Sequence, residues 1–315
     1  RAQLFAAGGG GRHAQRAFRG ERGGRGDRSF AGRGGGLGPD ERRRQPRRAV
    51  CGQLAGGGGG RGGLVHVCFM SLGPPQQTES AVSIIRNIEA LAARAEALRY
   101  HMVVDRSPAS LRRALETRPS WRGMPLARLH LHNTLQLPQH VRELHRRLSR
   151  SATGPGSIYL WKPLMHTVLP LSIRRVIVLD TDLFLFADLR HLWRQFDRFA
   201  PGELLGLAQE QCPSYQEVRA LGGVGYNGGV QLLRLDAMRS SAAYAAAIER
   251  YAAGGFGRPG APPMKEGGIG WLGDQTLYSW MSVNSTGFRA FFRDLPCGWN
   301  RQIGTHMAGW PRFWR

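Results

Sequence analysis

From Leu64 onward the chain alternates between short apolar runs and segments whose apolar residues recur every three or four positions. This alternation of strand and helix patterns favours an α/β fold with a largely parallel sheet, because a helix after each strand returns the chain to the same edge. Residues 64–69 predict the first strand, and a helix starting at Thr78 follows it. Further strands are predicted at 100–104, 127–131, 175–179, 204–208 and 230–235, and further helices from 108, over 138–148, 160–168 and 189–196, after Asp236 and from Asp274.

The first 63 residues differ from the rest in composition. They hold 21 of the chain's 44 glycines and 14 arginines against four acidic residues, and they lack apolar periodicity. Such a segment cannot bury enough surface to offset its chain entropy, so we predict a disordered leader over 1–63 and a folded domain over 64–315. Its Arg-Gly-Gly steps resemble those of RNA-binding tails, which leaves RNA binding through the leader as one alternative function.

The formal net charge of +22 attracts polyanions, but it does not choose between nucleic acid, an anionic membrane and a small anionic substrate. Of the four cysteines, Cys212 and Cys297 could pair in an oxidising compartment, and no Cys-x-x-Cys step indicates zinc. No apolar run reaches the roughly 18–20 residues of a membrane span. Because the chain begins with Arg1, we expect that any membrane anchor or signal preceded it.

Two carboxylates, Asp180 and Asp182, follow the predicted buried strand 175–179. In an extended segment, side chains two positions apart point to the same side, roughly 6–7 Å from each other. Like charges at that distance repel by about 2–3 kcal/mol at an effective dielectric of about 20. A divalent cation would remove this repulsion, and carboxylate oxygens suit Mg²⁺ or Mn²⁺. The pair therefore predicts a metal site at the carboxyl end of the sheet, with a turn of two solvated aspartates as the alternative.

A competing interpretation of the two aspartates is phosphatase chemistry. Aspartyl phosphatases also place two aspartates after an apolar strand, but they need a small or hydroxyl residue two positions after the second one. Phe184 stands at that position here, and the apolar Leu183 precedes it. The residues around the pair therefore argue against a phosphatase.

Motifs on both sides of the Asp pair add to this pattern. They are Leu160-Trp161-Lys162-Pro163 and Leu169-Pro170 before it, and Tyr226-Asn227-Gly228-Gly229-Val230, Gly273-Asp274-Gln275 and Leu295-Pro296-Cys297-Gly298-Trp299-Asn300 after it. In order and spacing the set resembles glycosyltransferase family 8, most closely the glucoside xylosyltransferases and other xylosyl-transferring members. The resemblance implies a GT-A fold and a retaining transferase. It also implies a UDP-sugar donor, UDP-xylose first of all, a Mn²⁺ or Mg²⁺ cofactor, and a glycan or glycoprotein acceptor.

The resemblance further implies roles for the charged residues. Asp180 and Asp182 would form the DxD motif that binds the metal, with Asp180 also contacting the ribose. Lys162 would reach the donor sugar or its phosphates, although an ordinary exposed lysine would fit the sequence as well. Asp274 would bind sugar hydroxyls, whereas without the resemblance a simple helix N-cap would be favoured.

Uncharged site residues follow from the same resemblance. Asn227 would bind the donor sugar, with a turn residue as the alternative, and Gln275 would lie beneath the anomeric carbon. The remaining expectations are that Phe69, Met70 and Ser71 approach the uridine through their backbone, and that Trp299 and Asn300 line the acceptor side, where core packing and a turn are the alternatives.

The family completes its metal site with a histidine near the C-terminus, in a His-Gly or His-Trp context. His306 is the one histidine between Asn300 and Arg315, but its place matches better an earlier, non-ligand histidine of the xylosyltransferases. We therefore expect the third ligand beyond Arg315 and a domain truncated at its C-terminal end, with His306 as the second candidate. An incomplete site leaves a catalytically inactive, UDP-sugar-binding relative as an alternative function.

The same resemblance implies the lumen of the Golgi or the endoplasmic reticulum, and a glycoprotein. Asn284-Ser285-Thr286 is a glycosylation sequon that would be used in such a compartment. Nucleic acid is not expected as a partner of the folded domain.

Overall fold

The computed structural model describes residues 4–6, 63–150, 154–211, 216–254 and 273–303. Its strands are β1 (Leu4–Ala6), β2 (Val65–Ser71), β3 (Leu98–Val104), β4 (Leu129–Asn133), β5 (Arg175–Leu179), β6 (Leu183–Leu185), β7 (Leu205–Gln209), β8 (Tyr226–Arg234), β9 (Phe292–Leu295) and β10 (Arg301–Gln302). Its helices are α1 (Gln76–Leu91), α2 (Pro108–Thr117), α3 (Gln139–Ser149), α4 (Met165–Val168), α5 (Leu189–Trp193), α6 (Gln216–Ala220), α7 (Leu235–Ser240), α8 (Ala242–Ala252) and α9 (Asp274–Ser282). Within these ranges, none of the helices has the length and apolar character needed to cross a membrane.

The central sheet has seven strands in the order β4-β3-β2-β5-β8-β7-β9. The first four are parallel to one another, and β7 is parallel to β9. β8 is antiparallel to both β5 and β7, so it lies reversed between two parallel blocks. The predicted α/β fold with a mostly parallel sheet is confirmed, and β8 is the exception within it.

Both faces of the sheet are covered, which explains why its strands read as nearly continuous apolar runs. Successive side chains of β2 alternate between two apolar clusters. Cys68 and Met70 belong to one cluster, and Val67 and Phe69 belong to the other. The carboxyl ends of β2 and β5 lie side by side, because Phe69 pairs with Leu179. The chain segments that follow these two strands therefore meet at one edge of the sheet.

A second, three-stranded sheet has β1 at its centre, antiparallel to β6 and parallel to β10. β1 belongs to the segment 1–63, for which we predicted disorder. The structure describes only residues 4–6 and Gly63 of that segment, and the three residues of β1 are extended and paired. The rest of the predicted leader lies outside the described residues.

Several helix boundaries differ from those predicted. α1 begins at Gln76 after Pro75, and Thr78 lies inside its first turn with a buried hydroxyl that bonds the Ser71 hydroxyl at 2.7 Å. The contact with β2 therefore determines the role of Thr78, which does not cap the helix. Asp236 also lies inside a first turn, because α7 begins at Leu235.

Two predicted helices are interrupted. The segment 160–168 is a 3₁₀ turn over Gly154–Trp161 followed by the single-turn helix α4, and the segment 189–196 is α5 followed by a 3₁₀ turn over Arg194–Arg198. Apolar spacing does not distinguish 3₁₀ from α-helical turns over such short stretches. Strands β6 and β9 were not predicted, since three- and four-residue strands carry almost no periodic signal.

Candidate active site

A lysine is buried at the carboxyl end of β5. Lys162, which follows the 3₁₀ turn Gly154–Trp161, is 1% exposed, and its Nζ lies 2.7 Å from Asp180 Oδ1 and 3.4 Å from Asp274 Oδ2. The same Nζ donates to the carbonyl oxygen of Gly228 at 2.8 Å. The three donors of the ammonium are thereby directed at three oxygens, and the Tyr159 ring packs 5.0 Å from it. This arrangement excludes the alternative of an ordinary exposed lysine.

The charges of this group set its protonation. Burial alone lowers the pKa of Lys162, but the carboxylates of Asp180 and Asp274 outweigh burial and raise it above the ordinary value. Burial raises the pKa of Asp274 to about 6, against the opposing charge of Lys162. The lysine therefore stays charged, and Asp274 is the carboxyl that carries the cost of desolvation. We call Lys162, Asp180 and Asp274 the ionic cluster.

Asp274 begins α9, and the residue before it is Gly273, whose φ is +58°. The predicted alternative was a simple N-cap, but the Asp274 side chain, 3% exposed, points into the core toward Lys162. A Cβ on Gly228 would overlap Asp274 Oδ2. This explains why the chain needs glycine at that position of its Asn-Gly-Gly step.

The hydrogen-bond ladder between β7 and β8 is irregular at the same place. Leu207 pairs with Gln231 while Ala208 pairs with Asn227, so the residues between Asn227 and Gln231 bulge out relative to β7. The freed carbonyl of Gly228 accepts the Lys162 ammonium instead of a strand amide. The bulge thus connects the irregular strand to the ionic cluster.

Asp180 and Asp182 differ in their surroundings. Asp180 follows β5, is 26% exposed at its side chain, and its backbone N–H donates to the Gly229 carbonyl at 2.9 Å. Residues 181–182 form a turn, so the extended geometry assumed for the pair is absent, and Asp182 is exposed. Within that turn the Thr181 hydroxyl donates to Gln77 Oε1 at 3.3 Å. The pair therefore presents one half-buried and one exposed carboxylate.

Glu210, which follows β7, joins two of the predicted site residues. Its Oε2 accepts from Asn227 Nδ2 at 2.9 Å and from Gln275 Nε2 at 3.3 Å. Asn227 Oδ1 in turn accepts the Gly229 N–H at 2.9 Å and Asn300 Nδ2 at 2.6 Å. Asn227 is therefore held from three directions, more than its role as a turn residue would require.

Trp299 and Asn300 are buried beside this network, at 2% and 0% exposure. Among the described residues, Trp299 Nε1, Asn300 Oδ1 and the nearby Gln302 Nε2 are buried without a hydrogen-bond partner. Buried polar atoms without a hydrogen-bond partner are rare in native proteins, so these three atoms are unusual among the described residues. Trp299 packs in an apolar cluster, as the alternative of core packing would have it, and its role toward an acceptor stays a prediction.

Phe69, Met70 and Ser71 form the carboxyl end of β2 and are buried. Register places them next to the segment that follows β5, because Phe69 pairs with Leu179. The Ser71 side chain is engaged by Thr78, and its carbonyl accepts from Arg106 Nη2 at 3.5 Å. These residues can offer a ligand little besides backbone, and their approach to a uridine stays a prediction.

The donor chemistry of the site fits a divalent cation only in part. Oδ1 of the Asp180 carboxylate already accepts from the Lys162 ammonium. Asp182 adds carboxylate oxygens, which suit Mg²⁺ or Mn²⁺. Among the described residues no group of three or more histidine, cysteine, aspartate or glutamate side chains could hold a metal ion. His306 lies outside the described residues, and so would any third ligand near it.

Sequence reasoning missed three residues of this site: Glu210, Gln231 and Tyr278. Glu210 follows an apolar strand, as Asp180 does, and that pattern could have identified it. Gln231 is a lone polar residue within the apolar end of β8, which indicates a buried partner. Tyr278 carries no signal of its own, because a tyrosine one turn into a helix resembles any core aromatic.

Cys297, next to Trp299, takes part in a disulfide. Its partner lies outside the described residues, so the predicted pairing with Cys212 stays a prediction. Cys68 is free and buried in the core, where burial raises the pKa of its thiol. A buried thiol with a raised pKa has no reactive thiolate, which agrees with a packing role.

The fold around this site is the GT-A fold of glycosyltransferases. It matches the crystal structure of mouse xyloside xylosyltransferase 1 in its apo form with a TM-score of 0.58 and 24% sequence identity, over 80% of this chain and 93% of that one. No protein-family model matches the chain.

Curated relatives share sequence with the chain as well. It is 32% identical to xyloside xylosyltransferase 1 of Homo sapiens over 165 residues, 47% of this chain and 40% of that protein. It is 26% identical to the human xylosyl- and glucuronyltransferase LARGE1 over 253 residues, 77% of this chain and 30% of that protein. The matched part of the chain thus spans less than half the length of these relatives.

Proposed function

We propose that the chain is the catalytic domain of a retaining glycosyltransferase that moves a sugar from a UDP-sugar to a glycan or glycoprotein acceptor. The observation that carries the proposal is the ionic cluster, in which a buried lysine bridges the Asp180 and Asp274 carboxylates at the ligand-binding edge of a GT-A fold. An ion pair this deeply buried costs desolvation energy that an apolar substitute would avoid. Similarity to xylosyltransferases supports UDP-xylose as the first donor to test.

The residues around the cluster divide the work of such a transfer. Asp180 and Asp182 would hold a divalent cation, Mn²⁺ or Mg²⁺, which when bound stabilises the charge of the departing diphosphate as a Lewis acid. Asn227, held by Glu210, would offer its amide to the donor sugar. Asp274 would accept hydrogen bonds from sugar hydroxyls. Phe69 to Ser71 would approach the uridine through backbone atoms.

Retention of configuration needs either a covalent intermediate or attack from the face of the leaving group. Gln275 is a neutral amide and therefore a poor nucleophile. We therefore infer that the bond between the anomeric carbon and the phosphate oxygen breaks while the acceptor hydroxyl attacks the same face and passes its proton to that oxygen. Detection of a glycosylated Asp274 peptide by mass spectrometry would contradict this step.

The acceptor would lie near Trp299 and Asn300. Asn300 supports this place, because its Nδ2 donates to Asn227, the residue proposed to bind the donor sugar, at 2.6 Å.

An oxidising, luminal compartment fits two features. Cys297 forms a disulfide, and disulfides persist in secretory compartments. Asn284 of the sequon is exposed, on a turn at the end of α9 opposite Asp274. We accordingly place the protein in the lumen of the Golgi or endoplasmic reticulum, with a glycan on Asn284.

The test is release of UDP from UDP-xylose and other UDP-sugars by the full chain, with Mn²⁺ and a xyloside or glucoside acceptor. Asp182→Asn should abolish manganese-dependent turnover, whereas the matched control Asp197→Asn, another exposed carboxylate at 72% side-chain exposure, should not. Manganese-dependent binding of UDP by calorimetry without turnover would favour the alternative of an inactive UDP-sugar-binding relative. The absence of both UDP binding and UDP-sugar turnover would overturn the proposal.

A further inference from the structure

Behind the ionic cluster lies a fully buried amide that the proposed reaction does not use directly. Gln231 of β8 is 0% exposed, and its Nε2 donates to Asp274 Oδ2 at 2.6 Å and to the Gly228 carbonyl at 3.0 Å. Its Oε1 accepts the hydroxyl of Tyr278, which is also 0% exposed, at 2.9 Å. Both amide hydrogens and the amide oxygen are thus engaged.

The partners fix the orientation of this amide. If the Gln231 amide were flipped, its oxygen would face the Asp274 carboxylate and the Gly228 carbonyl, and its NH₂ would face the Tyr278 hydroxyl. The amide oxygen would then face two other acceptors with no hydrogen between them, and each of these buried oxygens would lose a hydrogen bond without regaining one from water. The neighbours therefore permit one orientation, in which Gln231 is a donor toward the cluster.

Gln231 and Lys162 share the same two acceptors. Each donates to the Gly228 carbonyl, and each contacts Asp274 Oδ2, but Gln231 is the nearer at 2.6 Å and Lys162 lies at 3.4 Å. Lys162 is closer to Asp180, at 2.7 Å. Because the Gln231 amide supplies the short hydrogen bond to Asp274, the Lys162 ammonium can make its short contact with Asp180 instead.

We propose that Gln231, held in place by Tyr278, is a positioning residue that fixes the Asp274 carboxylate and keeps Lys162 on Asp180. A buried glutamine is costly in a strand interior unless its hydrogen bonds are needed, because an apolar residue of the same shape would pack there without that cost. The proposal rests on the proposed function, in which Asp274 contacts the donor sugar and Asp180, the partner of Lys162, holds the cation. It adds that the geometry of both depends on a relay from α9 through β8.

The experiment compares Gln231→Met, which keeps the shape of the side chain without its hydrogen bonds, with Tyr278→Phe and with the double variant. Gln231→Met should lower kcat for UDP release about tenfold, the lower end of the range for residues that orient a site, with the donor KM changed far less. Tyr278→Phe should lower kcat about threefold, because it removes one neutral hydrogen bond of the relay. When Gln231→Met is already present, adding Tyr278→Phe should lower kcat by at most about twofold more, because the hydroxyl of Tyr278 acts through Gln231.

Tyr100→Phe is the matched control. Tyr100 is likewise 0% exposed and donates its hydroxyl to a side-chain oxygen, Glu89 Oε1, in the other apolar cluster. It should lower the melting temperature as much as Tyr278→Phe does and leave kcat unchanged. An equal loss of kcat in Tyr100→Phe, or additive losses for Gln231→Met and Tyr278→Phe, would overturn the positioning role.

A second measurement separates this proposal from the proposed function. Urea unfolding of Gln231→Met, Asp274→Asn and their double variant measures the coupling between the two side chains without any turnover. Coupling together with turnover supports both proposals. Coupling in a chain that turns over no UDP-sugar would overturn the proposed function and keep Gln231 as the residue that fixes Asp274. Absence of coupling would overturn the role of Gln231.

Discussion

The molecule buries polar side chains in two places, and the two differ in how those side chains meet their need for hydrogen bonds. The ionic cluster lies at the carboxyl end of β5 and holds one ammonium between two carboxylates. The histidine ladder, which we define as His66, His101 and His132, crosses β2, β3 and β4. Its imidazoles are joined by two hydrogen bonds of 3.0 Å, His66 Nδ1 to His101 Nε2 and His101 Nδ1 to His132 Nε2.

The ladder avoids charge altogether. Burial lowers the pKa of His101 to about 2 and of His132 to about 4, with further lowering from neighbouring histidines, and burial also lowers the pKa of His66. Each neutral imidazole can donate from one ring nitrogen and accept at the other, so a row of them satisfies itself. The central imidazole, His101, thereby has both ring nitrogens bonded within the protein.

The ionic cluster, by contrast, keeps its charges. Its ammonium is fully buried, but Asp180 is 26% exposed and the neighbouring Asp182 is exposed, so its negative side opens outward. A group of charges that is neither neutralised nor closed off suits a charged ligand, which a closed ladder does not. Retained charge and openness to solvent, rather than burial of polar groups as such, therefore distinguish the candidate active site from the ladder.

The largest effect expected from this comparison follows removal of the cluster's cation. Lys162→Met should lower the free energy of unfolding by about 3–5 kcal/mol, because it leaves Asp274 buried without its charge partner. Urea unfolding at pH 7.5 measures it. Lys162→Met combined with Asp274→Asn should recover part of the loss, and a loss below about 1 kcal/mol in the single variant would mean that the cluster is not energetically coupled.

How far the sequence predicted this cluster depended on how local each signal was. Asp180 and Asp182 were found because they follow an apolar strand, and Asn227 and Asp274 because they stand in recognisable short motifs. Contact between Lys162 and Asp274 could not be predicted from spacing, since the two are more than 100 positions apart and meet only through the 3₁₀ turn Gly154–Trp161 and the start of α9.

The fold was predicted better than its details for the same reason. The parallel block β2, β3, β4 and β5 follows from strong apolar runs, whereas the reversed β8 depends on pairing with distant strands. The histidine ladder was missed entirely. Its members alternate with apolar residues as exposed polar side chains would, and only the hydrogen bonds between neighbouring strands show that the three imidazoles meet.

As pH falls, the ladder and the ionic cluster should change the free energy of unfolding in opposite directions. The folded-state pKa values of His101 and His132 lie below the unfolded value, so their contribution is complete above about pH 6.5 and is lost as pH falls below it. Asp274, with its pKa raised to about 6, adds stability as pH falls from about 6 toward 3.8. The two histidines outweigh the one carboxyl by roughly 2 kcal/mol between pH 7.5 and 5.5. Burial also lowers the pKa of His145 and of His166 to about 4, so the unfolding free energy of the whole chain should drop by more than that.

Urea titrations at several pH values measure this drop. Asp274→Asn should steepen it, because the opposing contribution is removed. A stability that stays level or rises down to pH 5.5 in the parent chain would contradict neutral, buried imidazoles in the ladder.

A third change breaks the ladder at its centre. His101→Phe keeps a ring in the stack but leaves His66 Nδ1 and His132 Nε2 without their partner, which should cost about 1–2 kcal/mol at pH 7.5. The loss of unfolding free energy between pH 7.5 and 5.5 should also become smaller than in the parent chain. Turnover of UDP-sugar should be unaffected once the protein is folded, and a loss of turnover without a loss of stability would make the ladder part of the site.

The smallest effect on stability belongs to the most exposed carboxylate of the candidate metal site. Asp182→Asn should change the unfolding free energy by no more than about 0.5 kcal/mol, because exposed side chains contribute little to the folded state. The same variant should nevertheless lose manganese-dependent UDP binding in calorimetry, since a neutral amide is a weak ligand for a hard cation. Together with Lys162→Met, this variant tests whether the buried side of the cluster stabilises the fold while the exposed side binds the cation and UDP. A large loss of stability in Asp182→Asn, with UDP binding intact, would reverse that assignment.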